Sequence, residues 1–265
     1  MKQTAHPWRL ASLTQNVRFY ILASSILVSL IVLAWLRIQI VADQLSIIRL
    51  EQVYGFLSTI YLYVALMISP LLMLPLREGV KRQLKFSRRA IGVSAAYFAL
   101  LHSGIALWGQ IGGLDKLAFL PAKLVWSLSA GGVALVVLLI MAATSFDKVV
   151  RGMTFRWWKW LQRFGYIAAL LTVLHVWLIG THLAYSWAQW MGVIALSLLF
   201  GFESFRIARS LTRQLHTSRI VLVAMCLLMW AGSTAALVMM PRYVKNYHSD
   251  QHSGGGQVHG GAGHE

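Results

Sequence analysis

The stretch AIGVSAAYFALLHSGIALWG, Ala90 to Gly109, is apolar throughout apart from small hydroxyls and a few polar ring atoms, yet it carries His102. About 20 such residues suffice to cross the hydrocarbon of a bilayer. An imidazole in that setting is expensive unless something partners it. At helical spacing the positions sharing its face are Ala95, Phe98, Ala99, Ile105, Ala106 and Gly109. Most of these are small, which leaves either a shallow slot for something flat or a surface for close helix packing.

The rest of the chain reads the same way. Hydrophobic residues make up 58% of the 265 positions, above the roughly 45–50% of soluble domains, so lipid is the expected solvent. Seven stretches approach or exceed spanning length: 19–42, 53–76, 90–112, 122–144, 160–181, 185–205 and 220–241. The expected fold is all-α, a polytopic membrane helical bundle with a six-helix core and a seventh C-terminal transmembrane helix. The expected organisation is a cytoplasmic segment at 1–18, a membrane core at 19–210, a connection with the seventh helix at 211–243, and a disordered Gly/His-rich external tail at 244–265. The first apolar run is long, and VADQLS after it has no small-x-small cleavage pattern, so it reads as a helix and not a removable signal.

The net charge of +16 could suggest nucleic acid, but its distribution does not. The N-terminal segment and the second, fourth and sixth connections hold 18 of the 24 Lys and Arg residues; the rest are Arg37, Arg49, Lys116, Lys123, Arg242 and Lys245. That alternation is the positive-inside bias. It predicts an inner (plasma) membrane protein with a cytoplasmic N-terminus and an external, periplasmic C-terminus. The single cysteine, Cys226, excludes an intrachain disulfide, a CxxCH haem attachment and a Cys-rich cluster. None of the eight carboxylates is expected mid-membrane, which leaves no material for a carboxylate relay.

Of nine histidines, only His102 and His175 are expected deep in the hydrocarbon. His175 lies in FGYIAALLTVLHVWLIGTH, beyond the basic, aromatic flank RWWKWLQR; His102 lies beyond the arginine pair of SRRA. Both helices run outward from the cytoplasm, and at 1.5 Å per residue both imidazoles reach a depth of roughly 20 Å. Two imidazoles at one depth could occupy both axial positions of one haem iron. Each could instead hydrogen-bond to a neighbouring helix or water.

Several segments around these histidines resemble the ferric-reductase-like transmembrane domain, and within it the haem-binding membrane subunit of the periplasmic methionine sulfoxide reductase system. They are SPL at Ser69–Leu71, RRAIG at Arg88–Gly92, TS at Thr144–Ser145 and WKWLQRFGY from Trp158 to Tyr166, followed by His175. The resemblance covers about residues 20 to 210 and makes 19–210 a haem-binding core. It implies a membrane electron-transfer protein with one bis-histidine haem b, passing electrons from a cytoplasmic flavin or quinol donor to an acceptor outside. It departs from two-haem relatives at Gln162, where a further histidine is common, and at Arg88 and Lys116, where a second third-helix histidine would stand. One haem is therefore expected, in the middle-to-outer half.

A donor domain is not evident: the cytoplasmic connections are too short for a flavin or nicotinamide fold, and no GxGxxG follows a strand. The donor is expected to be a separate flavin reductase, bound FMN or FAD, or quinol. Arg88 and Arg89, with Lys85 nearby, form a cationic shelf that a flavin phosphate or acidic partner could use, or that simply anchors the helix. Trp157, Trp158 and Trp160 read as an interfacial belt with the same second option. His182 could touch a haem propionate, line an electron exit or sit solvated at the interface. His248, His252, His259 and His264 stand among glycines and could bind external metal weakly. Two alternatives stay open: a stand-alone ferric or cupric reductase using that tail, and a haem-free metal transporter or assembly protein.

Overall fold

The computed structural model describes residues 7–39, 43–179, 186–210, 227 and 231. Its helices are α1 (Pro7–Gln39), α2 (Asp43–Leu71), α3 (Glu78–Ile105), α4 (Ala122–Ala143), α5 (Asp147–Gly152), α6 (Phe155–Leu161), α7 (Phe164–Ile179) and α8 (Ser186–Ser210). No strand occurs among the described residues. Five helical spans are long and apolar enough to cross a membrane: Asn16–Ile38, Leu45–Leu71, Glu78–Ile111, Ala122–Ala143 and Arg156–Ile179. The chain is a multi-pass helical membrane protein. The sixth expected stretch corresponds to α8, which is not among those five and carries the Glu203–Arg206 ion pair. The seventh stretch, apart from residues 227 and 231, and the whole 244–265 tail lie outside the described residues.

Three helices start earlier than the apolar runs suggest, among them α1, at Pro7 instead of 19. Helix α2 begins at Asp43 instead of 53, and α3 at Glu78 instead of 90. Hydropathy marks only the lipid-matched part of a helix, while its winding follows backbone propensity. The segment EGVKRQLKFSRR is rich in Glu, Lys, Arg, Gln and Leu, all good helix formers. The second connection is thus largely a basic extension of α3, with Lys81 paired to Glu78 at 3.0 Å.

The chain divides into two compact units, residues 1–175 and 176–265. In the first, α3 is central and packs against α1, α2 and α4. Ala95 and Phe98 are fully buried and Ala99 nearly so. The small residues near His102 are therefore used for close helix approach, the second of the two readings. Hydroxyls fasten the contacts where no water competes. Ser25 Oγ donates to Ser94 Oγ at 2.8 Å, Ser58 Oγ to the Ala95 carbonyl at 3.0 Å, and Tyr54 Oη to the Ser29 carbonyl at 2.8 Å. Phe98 sits among the rings of Tyr54, Tyr61 and Tyr97.

Beyond His102, α3 continues as a π-helical turn, Ala106–Ile111. Gly112 and Gly113 then adopt φ of 85° and 126°, values that favour glycine, and let the chain turn away. A 3-10 helix, Leu114–Phe119, leads to Pro121 at the start of α4.

Candidate functional site

His102 on α3 and His175 on α7 come together. Their ring centroids are 6.0 Å apart and the ring planes are nearly perpendicular, at 83°. Each ring is anchored through Nδ1 to a main-chain carbonyl of a neighbouring helix. For His102 the acceptor is the Glu51 carbonyl on α2, at 3.0 Å. For His175 it is the Ser127 carbonyl on α4, at 2.8 Å. Ser127 Oγ also lies 3.2 Å from His175 Nδ1 and donates to the His175 carbonyl at 3.0 Å.

These contacts fix the tautomer by elimination. A carbonyl oxygen only accepts, so Nδ1 must carry the proton in both rings. In the neutral imidazole Nε2 is then the lone-pair atom. Among the described residues neither Nε2 has a hydrogen-bond partner. A ligating histidine whose other nitrogen donates to a carbonyl is the usual outer-shell arrangement at metal centres.

The spacing suits one metal between the rings. An imidazole nitrogen binds a transition metal at about 2 Å, and the ring centre lies about 1 Å behind it, so trans rings stand about 6 Å apart. Among the described residues no cluster of three or more His, Cys, Asp or Glu side chains is present. Two nitrogen donors from separate helices, with no third protein ligand, suit an iron whose other positions a porphyrin fills.

Glu51 lies inside a candidate membrane span, near its start. Glu51, on the Leu45–Leu71 span, is 8% exposed, and its Oε1 lies 3.6 Å from His102 Nδ1. Arg49 and Glu51 together dilute the hydropathy at the start of α2, which hid the residue. Glu203 on α8 is a second buried carboxylate, paired with Arg206.

At the other end of α3, Asp147 bridges two arginines. Arg18 donates to its Oδ2 at 2.7 Å and Arg89 to its Oδ1 at 3.0 Å. The hydrogen bond from Arg18 is the main reason the Asp147 carboxyl is held below its ordinary range; the charges of Arg18, Arg89 and Arg151 act the same way and partial burial opposes them. The Arg89 guanidinium also stacks over Trp158, 4.8 Å from the ring centroid. The cationic shelf is thus partly neutralised from within, and Arg88, beside Arg89, is half-buried. Trp157 and Trp160 are exposed, as belt residues are. Gln162 caps α6, and its buried Nε2 has no hydrogen-bond partner. His182, His248, His252, His259 and His264 lie outside the described residues.

With this geometry in place, the chain can be compared with known proteins. Residues 54–173 match the family model described as ferric reductase like transmembrane component. His102 lies inside the match and His175 two residues beyond its end. Among curated proteins, the chain is 36% identical over 97 residues to the protein-methionine-sulfoxide reductase heme-binding subunit MsrQ of Deinococcus radiodurans, covering 34% of this chain and 44% of the relative. It is 32% identical over 97 residues to the MsrQ of Ralstonia nicotianae, covering 34% and 42%. The alignments span less than half the length of either relative. No solved structure matches the chain.

Proposed function

We propose that the chain is a membrane electron-transfer subunit that holds one haem b between His102 and His175. The observation that carries this reading is the pair of neighbouring imidazoles, with ring centroids 6.0 Å apart and each Nδ1 committed to a carbonyl. The haem-binding role named for the two MsrQ relatives supports it. When bound, the haem supplies a one-electron ferric/ferrous couple. His102 and His175 would supply the two protein ligands to its iron, which would leave no site for oxygen or other small ligands. The Glu51 and Ser127 carbonyls keep both rings in the ligating tautomer, and the lipid-embedded helices exclude water.

The charge pattern supports an orientation for this transfer. In this reading the Arg18, Arg89 and Asp147 cluster belongs to the cytoplasmic side and the histidines lie toward the external side of an inner membrane. Electrons enter on the cytoplasmic side from a separate flavin reductase, bound FMN or FAD, or quinol, near Arg88 and Arg89. They leave outside to a separate oxidoreductase of the sulfoxide-reductase type. His182 would sit on that exit route.

The test is optical. Protein purified from haem-sufficient cells should show low-spin haem bands, and His102→Ala or His175→Ala should each abolish them. A colourless, stably folded wild-type protein would overturn the proposal.

A further inference from the structure

Two interior glycines, Gly55 on α2 and Gly131 on α4, stand in the same relation to the two imidazoles. A methyl group built on Gly55 would lie 2.9 Å from His102 Nδ1 and 3.1 Å from its Cε1. One built on Gly131 would lie 2.7 Å from His175 Nδ1 and 3.0 Å from its Cε1. Real Cβ atoms essentially never come under 3.0 Å. The neighbour here is a rigid ring already tied to a carbonyl, so it has little freedom to give way.

The sequence relation explains the contact. Gly55 follows Glu51 by four residues, and Gly131 follows Ser127 by four. In an α-helix each carbonyl accepts the N–H four residues on. The carbonyl that anchors each histidine is therefore the one already bonded to the glycine's N–H. At Gly55 and Gly131 the imidazole that reaches the second lone pair passes close over the glycine, where a methyl group would meet the ring. Glycine in a helix interior costs about 1 kcal/mol relative to alanine, and at these two positions the bare Cα gives room for the ring.

We propose that Gly55 and Gly131 are positioning residues, each forming with the carbonyl four residues before it a seat that fixes one axial imidazole and the near-perpendicular setting of the pair. This rests on the proposed ligation by His102 and His175. The two seats are equivalent devices on different helices, and the tighter contact at Gly131 makes it the less tolerant.

The test uses the full chain with Gly55→Ala, Gly131→Ala and the control Gly132→Ala, whose methyl group meets nothing within 4 Å. Loss of outer-shell positioning weakens metal retention by about 10- to 100-fold. Haem retention should fall on that scale in Gly131→Ala, by less in Gly55→Ala, and not in Gly132→Ala. Perpendicular axial planes leave the two iron dπ orbitals nearly degenerate, so the wild-type ferric protein should give a strongly anisotropic low-spin paramagnetic resonance signal. Haem remaining in Gly55→Ala should show that signal shifted toward a rhombic form. Should a glycine variant fold poorly, the clash must disappear with the ring: Gly55→Ala/His102→Ala should be as stable as His102→Ala alone.

Glycine variants that match Gly132→Ala in haem and spectrum, or a double variant no better folded than Gly55→Ala, would overturn the assignment while leaving the ligands intact. Haem retained in His102→Ala and His175→Ala would instead remove the ligand reading, and the seats with it.

Discussion

Each imidazole is held by backbone. His102 Nδ1 donates to the Glu51 carbonyl at 3.0 Å, whereas the Glu51 carboxylate stands 3.6 Å away, beyond a good hydrogen bond. Glu51→Gln should therefore keep a full complement of haem, measured as the ratio of Soret to protein absorbance. A colourless Glu51→Gln protein would mean that the carboxylate holds the ring. Gln162→Ala should also stay pigmented, because Gln162 caps α6 and lies thirteen residues before His175, outside α7. The two histidines were legible in the sequence because both stand at one depth on helices of one direction. Their anchors were not. Glu51 sat beside Arg49 at a diluted helix start, and Gly55 and Gly131 showed only as helix-interior glycines whose partners lie on other helices.

At the scale of helices, small residues and hydroxyls bring α1, α2 and α3 together, and one carboxylate ties α1 to α3. Asp147, at the start of α5, joins Arg18 of α1 to Arg89 of α3. Its carboxyl is held below the ordinary range in the folded chain, chiefly by the Arg18 hydrogen bond. The stabilisation is therefore present above the unfolded value of about 4 and is lost as pH falls through the lower folded value. The bridge is half exposed, so its contribution is about 1 kcal/mol or less. Asp147→Asn should melt slightly below wild type at pH 7, and the gap should close below about pH 4; a gap that persists in acid would show another origin. The apolar windows located the helices but misplaced the starts of α2 and α3, since charged helix formers wind without looking oily.

Within the first unit, the described part of α3 carries Arg88 and Arg89 in one half and His102 in the other. In a Cys226→Ala background, cysteines placed at Lys85 and Lys116 should report opposite sides of the membrane. A membrane-impermeant maleimide added to the external face should label the Lys116 site, and label the Lys85 site only after lysis. Labelling of Lys85 from outside would reverse the proposed direction of electron flow. The bundle class was readable from composition and the resemblance from ordered short motifs, whereas the convergence of His102 and His175 on carbonyls of α2 and α4 needed coordinates. The most direct measurement of the account is haem stoichiometry by pyridine haemochrome on purified wild type, His102→Ala and His175→Ala. The account predicts one haem b per wild-type chain and none in either variant; two haems per chain, or a full complement in either variant, would contradict it.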